Sequence, residues 1–323
     1  MYSIGLDISK STINVYIPKT NSDLIIDNDL NSIKAFYSKL KKYYKKEIDK
    51  LVFVFEPTGN YSYALKAFCS EKNIRCFIIN PKRSSNLAKG LGERNKTDKV
   101  DARILSQMFL VAKDKDIKIP VINVVKEELK ELISGYKLIV KQQTTVKNHI
   151  SALKAKKQNS YMIEELERQY RFLKKQELKL IEKIKSIIKK DNSLLEPFLN
   201  LQTISGIGEI SSIILLSHFI QYPDANQRQI VSLAGLDPTE NSSGSSIRKK
   251  PRISKAGSKI CRGALFMPTI TAIMHNTKLK RFYENLKENG KHTTVAQVAV
   301  MRKLLIIAHS LYKNNEVYDP NRV

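Results

Sequence analysis

The sequence predicts an α/β domain at the N-terminus followed by a mainly helical remainder. Three observations predict it. Residues 2–80 alternate short β-branched and aromatic runs with amphipathic stretches. From Lys126 to Lys190 apolar residues recur at threes and fours, with no proline and one glycine, Gly135. Beyond Asp191, helical segments are broken by Gly- and Ser-rich turns. The chain has 323 residues, enough for more than one core. The composition shifts place a first domain at 1–125, a coiled-coil spacer at 126–190 and a C-terminal domain at 191–323.

The first domain is built around Leu51–Tyr61, LVFVFEPTGNY. Five apolar residues in a row make a buried strand. Glu56 ends it, Pro57 stops strand and helix alike, and Thr58, Gly59 and Asn60 are turn formers. In chain order, Ser3–Ser9 is a strand, Thr12–Ile17 pairs with it as a hairpin, and Leu24–Asp27 is a third. Leu30–Lys46 is a helix with Ile33, Phe36, Tyr37, Leu40, Tyr43 and Tyr44 on one face. Tyr61–Lys72 is a helix and Arg75–Asn80 a fifth strand. Residues 81–98 are basic with two glycines and no sustained period, and read as a mobile loop near nucleic acid. Asp98–Ala112 is a helix with Val100, Ile104, Leu105 and Met108 as its apolar face. The order β-β-β-α-β-α-β-α is that of a ribonuclease-H-like domain, in which strands one and four lie side by side.

The spacer reads as two long helices forming an antiparallel hairpin, with a polar break at Lys156–Ser160. Gly206, Ile207 and Gly208 then form the turn of a helix-hairpin-helix, where glycine lets backbone approach a phosphate. Ser242–Ser246 is a small flexible segment. Arg248, Lys249, Lys250, Arg252, Lys255, Lys259 and Arg262 crowd behind it, a composition suited to phosphate, although a Ser/Gly linker has the same look. Thr293–Tyr312 is a last amphipathic helix.

Lys and Arg number 56 against 31 Asp and Glu, a formal charge of +25. That excess is the electrostatic footprint of a nucleic-acid binder. The odd cysteine count (Cys69, Cys76, Cys261) with no CxxC suits a reducing cytoplasm. The five histidines show no zinc spacing. The apolar run near Ile210–Ile220 is too short for a bilayer, so no membrane partner is expected.

Acidic side chains inside this basic chain carry the chemistry. Asp7 lies within a buried-strand pattern, YSIGLDIS, and Glu56 ends another. An acid there is costly to hold without a partner. NKTDKVDARIL holds Asp98 and Asp101 at i,i+3, on one face of a first helical turn. Carboxylates from two strands and one helix supply hard oxygen ligands for Mg²⁺ or Mn²⁺, and paired ions of that kind clamp the attacking and leaving oxygens of phosphoryl transfer.

These residues resemble a known family. GLDIS, EPTGNY, the NKTDKVDA box, the coiled-coil spacer and the block GIG…SLAGLDP…SSG…RISKAGS are similar to the DEDD-type insertion-sequence transposases of the insertion-sequence one-ten family and to the related pilin-gene invertases. The resemblance spans nearly the whole chain. It implies a RuvC-like domain joined through a coiled coil to a C-terminal transposase domain. It implies a recombinase acting on donor and target DNA, guided by a bridge RNA, and working as a homo-oligomer, a dimer or tetramer. The acidic tetrad carries over as Asp7, Glu56, Asp98 and Asp101, binding Mg²⁺. The nucleophilic serine carries over as Ser243, with Ser242 beside it. The competing expectation is a metal-dependent, Holliday-junction-like endonuclease that uses water and needs only the first domain. A sugar kinase or ATPase would require a second β-β-β-α half, where this chain offers long helices. A non-enzymatic RNA-binding protein would leave four buried-prone acids without a purpose.

Overall fold

The computed structural model describes residues 1–91, 97–156, 160–243 and 247–320, with backbone alone at 99, 160, 241–243 and 247–250. The chain forms two compact units, Met1–Asn123 and Val124–Val323.

Among the described residues the first unit holds a six-stranded sheet. Its elements are β1 (Tyr2–Ile8), β2 (Thr12–Ile17), β3 (Ser22–Asp27), α1 (Leu30–Tyr44), β4 (Leu51–Phe55), α2 (Tyr63–Glu71), β5 (Arg75–Ile78), α3 (Pro81–Gly90), α4 (Asp98–Gln107) and β6 (Ile117–Lys118). The strand order is β3-β2-β1-β4-β5-β6. β1, β4 and β5 run parallel, while β2, β3 and β6 each pair antiparallel to a neighbour. The period-2 alternation of the strands separates two cores. Ile4, Leu6, Ile8, Leu51, Phe53 and Phe55 pack with Ile33, Phe36 and Leu40 of α1 and Leu65 and Phe68 of α2. Val52, Val54, Phe77 and Ile79 pack on the opposite face against Leu105 of α4 and Met108 just beyond it. A strand covered on both faces is apolar throughout, which is why LVFVF shows no alternation.

The expected loop at 81–98 is instead a helix over its first half. Pro81 occupies the first turn of α3, and the Asn80 side chain caps it by accepting the Lys82 N–H at 2.9 Å. Ser84 is the one buried residue of this helix, so no apolar stripe advertised it. Residues 92–96 of the same stretch lie outside the described residues. α4 ends at Gln107, earlier than expected, and Met108–Val111 continues as a 3₁₀ turn.

The second unit comprises α5 (Val124–Ala155), α6 (Ser160–Lys190), α7 (Asn192–Gln202), α8 (Glu209–Gln221), α9 (Gln227–Leu233), β7 (Pro238–Ser243), β8 (Ile247–Ile253), α10 (Lys259–His275), α11 (Thr277–Glu288) and α12 (Thr293–Asn314). α5 and α6 are antiparallel, as their cross-links show. Lys154 meets Glu167 at 2.8 Å, Gln143 donates to Glu177 at 2.9 Å, and Lys183 meets Glu128 at 3.4 Å. The base of the hairpin, Leu129, Ile133, Ile184, Ile187 and Ile188, belongs to the same core as α7 to α12. α12 is long and apolar enough to cross a membrane by length and composition. Its Val300, Leu304, Leu305 and Ala308 are wholly buried in that core, as a central helix of a bundle requires.

Candidate active site

Register brings the first two acids together. Parallel pairing runs from Tyr2 opposite Leu51 to Leu6 opposite Phe55. The next step along both strands is Asp7 and Glu56. Both fall on the same sheet face, because Ile4, Leu6 and Phe55 take the other one.

That face is covered by α4. The helix lies so close to β1 that a Cβ on Gly5 would sit 1.9 Å from the Ala102 carbonyl oxygen and 2.8 Å from the Ser106 nitrogen. Only glycine permits such an approach. Ser3 and Ser106 exchange a hydroxyl hydrogen bond at 2.8 Å. Ser3 beside Ser106 and Gly5 beside Ala102 fix the direction of the helix. Its N-terminal turn, with Asp98 and Asp101, therefore lies towards the end of β1 that carries Asp7. Thr97 caps that turn by accepting the Val100 N–H at 3.4 Å. Arg103 fixes the rotation of the helix through a two-pronged bond to Asp23, Nε to Oδ1 at 3.1 Å and Nη2 to Oδ2 at 2.6 Å, with Tyr16 under its guanidinium at 5.2 Å.

The backbone thus gathers Asp7, Glu56, Asp98 and Asp101 at one end of the sheet, but the side chains are not closed into a metal cage. Among the described residues no group of three or more His, Cys, Asp and Glu is arranged to hold an ion. Glu56 is engaged elsewhere: the Ser84 hydroxyl of α3 donates to its Oε1. Asp98 is exposed, while Asp7, Glu56 and Asp101 are half-buried. The donor set has the right chemistry for Mg²⁺, while Glu56 is held by Ser84.

Three positioning residues escaped the sequence. Ser84 holds Glu56. Arg103 anchors α4. The Asn28 amide donates to the carbonyl of Ser9, two residues after Asp7, and to that of Tyr61, five after Glu56, each at 2.9 Å. It staples together the two turns that follow the strand acids. Single polar residues outside a periodic pattern carry no advance signal of such roles, except that Asn28 sits in a turn-rich NDLN segment.

In the second unit the first two residues of the expected serine segment lie in a β-strand. Ser242 and Ser243 close strand β7, opposite Arg248 and Ile247 of β8. Residues 244–246 lie outside the described residues. The base of the hairpin is knitted to the helices. Ser254 donates to Asp237 at 2.5 Å, and Arg302 of α12 donates to the Leu236 carbonyl at 3.0 Å. Arg262, expected among the phosphate-facing cations, spends its guanidinium on the carbonyls of Ala234 at 2.8 Å and Gly257 at 3.1 Å. The helix-hairpin-helix glycine also has another purpose. At Gly206, with φ of +93°, a Cβ would lie 2.8 Å from the Pro268 carbonyl and 2.9 Å from Thr271 Cβ, so α10 demands the glycine. The N-terminus of α8 beside it already holds the Glu209 carboxylate, paired with Lys185 at 2.5 Å.

Comparison with known proteins agrees over most of the chain. Residues 4–156 match a family model described as a transposase, and residues 199–284 match one described as the transposase IS116/IS110/IS902 family. Pilin gene-inverting proteins of Moraxella bovis and Moraxella lacunata are each 25% identical over 331 residues, covering 98% of this chain and 97% of theirs.

Proposed function

The chain belongs to the IS116/IS110/IS902 family of transposases, enzymes that rearrange DNA, and we propose that it cuts and rejoins DNA through the acids of the first unit and a serine of the second. The observation that supports this reading is the strand register, which pairs Leu6 with Phe55, the residues immediately before Asp7 and Glu56. The sheet order β3-β2-β1-β4-β5, with β2 alone reversed among its central strands, supports taking the first unit as a RuvC-like domain.

In this reading Asp7, Glu56, Asp98 and Asp101 would hold Mg²⁺, which would supply positive charge at the scissile phosphate. The residues themselves do the rest. Ser84 releases Glu56 as the group closes. The Ser243 hydroxyl attacks phosphorus. Its Oγ–P bond forms as the bond to the leaving DNA oxygen breaks, its proton passes to a carboxylate, and the leaving oxygen takes up a proton. A DNA hydroxyl then reverses this step on a new strand. The bond energy is conserved in the serine ester, so rejoining needs no nucleotide cofactor. Inversion, the reaction named for the Moraxella relatives, has the same requirement to rejoin every strand it cuts. A bridge RNA would choose the DNA by base pairing, leaving the basic protein to grip backbone and shape. A homodimer or tetramer would bring serines and acids to both DNA partners.

The test is a DNA end incubated with the protein and Mg²⁺, then run on a denaturing gel. Ser243→Ala is expected to abolish the covalent protein–DNA adduct. Asp7→Asn with Glu56→Gln is expected to abolish cutting as well. An adduct that survives Ser243→Ala would move the nucleophile to Ser242. Cutting without any adduct would identify a water-using endonuclease instead.

A further inference from the structure

We infer that the outer face of α1 docks double-helical nucleic acid, held by its phosphates and not cut. Residues 30–46, α1 and the two residues after it, contain six lysines and no acid. Lys34, Lys39, Lys41, Lys42, Lys45 and Lys46 are all exposed. Ile33, Phe36, Leu40 and Tyr44 hold the opposite side of the helix in the core. Steps of four, three and four residues put Lys34, Ser38, Lys41 and Lys45 in one outward row, with Lys42 beside it. The row is about 17 Å long, roughly half a turn of duplex.

This charge is not spent inside the protein. Among the described residues none of the six lysines forms an ion pair, and the neighbouring acids are engaged elsewhere. Asp29 caps α1, accepting the N–H groups of Asn31 at 2.8 Å and Ser32 at 3.0 Å. Glu47 accepts from Tyr2 at 2.9 Å and meets Lys50 at 3.5 Å and Lys19 at 3.7 Å. Glu71 pairs with Lys72 at 2.8 Å and feels Lys34 only at longer range. Near the helix in sequence, Asp27 and Asp49 remain against six lysines. The long hairpin of the second unit is the contrast, since Lys130, Lys154, Lys174 and Lys183 each meet a glutamate. Segregated cations on one face repel each other until an anion covers them, and a duplex backbone offers phosphates in a matching row. Location sets this duplex apart from DNA being cut. α1 lies on the sheet face of Phe53 and Phe55, whereas α4 covers the other face, on which Asp7 and Glu56 fall. The inference uses the proposed cutting site only for that separation. The surface itself stands on its charge.

The experiment measures binding of a fluorescent duplex of about twenty base pairs, as RNA and as DNA, to the full chain without Mg²⁺ across a salt series. The variant combines Lys34→Gln, Lys41→Gln, Lys42→Gln and Lys45→Gln. The control makes the same change of charge at Lys130, Lys154, Lys174 and Lys183, which are also exposed. The α1 variant is expected to bind at least one of the two duplexes about tenfold more weakly at roughly 0.1 M salt. Its slope of log affinity against log salt should be shallower by about 3, because four cations no longer neutralise phosphates. Lys34→Gln with Lys41→Gln, which leaves the helix end untouched, should give about half that change in slope. The control should change little. A loss confined to RNA makes the partner an RNA, and a loss confined to DNA makes it DNA flanking the cut. Unchanged binding of both duplexes would overturn the proposal. Equal losses in variant and control would reduce the effect to net charge and overturn it too. Cutting of a short DNA end with Mg²⁺ is scored separately and should persist in the α1 variant. Cutting lost while duplex binding is unchanged would put this face at the cutting site and overturn the proposal. An unmodified chain that binds duplex through α1 but cuts nothing would count against the proposed function alone.

Discussion

At the scale of single residues, the site depends on side chains whose work is to set distances. Gly5 is the most constrained. Gly5→Ala would push a methyl against the α4 backbone at 1.9 Å, and neither partner is a flexible side chain that can give way. The expected loss is about 3 kcal/mol or more in the stability of the first unit, read from its denaturant midpoint. Ser84→Ala would leave Glu56 against α3 without its donor. It should lower stability by about 1–2 kcal/mol while leaving strand cutting unreduced, because Glu56 leaves Ser84 when the acids close; a loss of cutting beyond the loss of stability would contradict that release. Asp7 and Glu56 stand out in the sequence, because a carboxylate within or at the end of an apolar run does. Ser84, Asn28 and Arg103 do not, because a hydroxyl, an amide or a guanidinium at the surface has no periodicity to mark it until the fold shows what it meets.

At the scale of elements, α4 and its anchors decide whether the last two acids stay in place. Arg103→Ala removes the bidentate bond to Asp23 and the contact with Tyr16. The ion pair is largely exposed, so the cost in stability should stay below about 1 kcal/mol. The expected effect on DNA cutting is larger, since the helix loses the contact that fixes its rotation. An activity that tracks stability alone would contradict this role. The strands of the first unit and the two long helices of the second were readable from periods of 2 and 3.6. α3 was hidden because its exterior is polar and it buries only Ser84. The hairpin β7–β8 was hidden because a Ser- and Lys-rich strand lacks β propensity, and its pairing is fixed from outside by Arg302, Asp237 and Ser254. Gly206, a motif glycine read for phosphate, is required by the packing of α10 as well.

At the scale of the whole molecule, the core of the second unit carries a pH liability. His218 and His309 are both buried, and the Nε2 atom of each has no hydrogen-bond partner. Burial first, and the neighbouring His309 second, push His218 down to about 4. Burial and then Lys313 lower His309. The folded chain therefore resists protons that the unfolded chain takes up near 6.5. Stability should be flat above about pH 7 and fall as the pH drops from about 6.5 towards 4, by roughly 3 kcal/mol for His218 alone. His218→Gln should flatten that slope in thermal unfolding followed at pH 5 and pH 7. The excess charge of +25 was visible at once as an attraction for nucleic acid, whereas the histidine pair shows no spacing that would have joined residues so distant along the chain.

The bare contact between Gly5 and Ala102 has a consequence for how such an enzyme can diverge. Where two main chains touch with nothing between them, atomic radii set the gauge of the gap and no choice of side chain can widen or narrow it. New DNA preferences would then arise by altering what is delivered to the acids, with the width of their seat inherited unchanged.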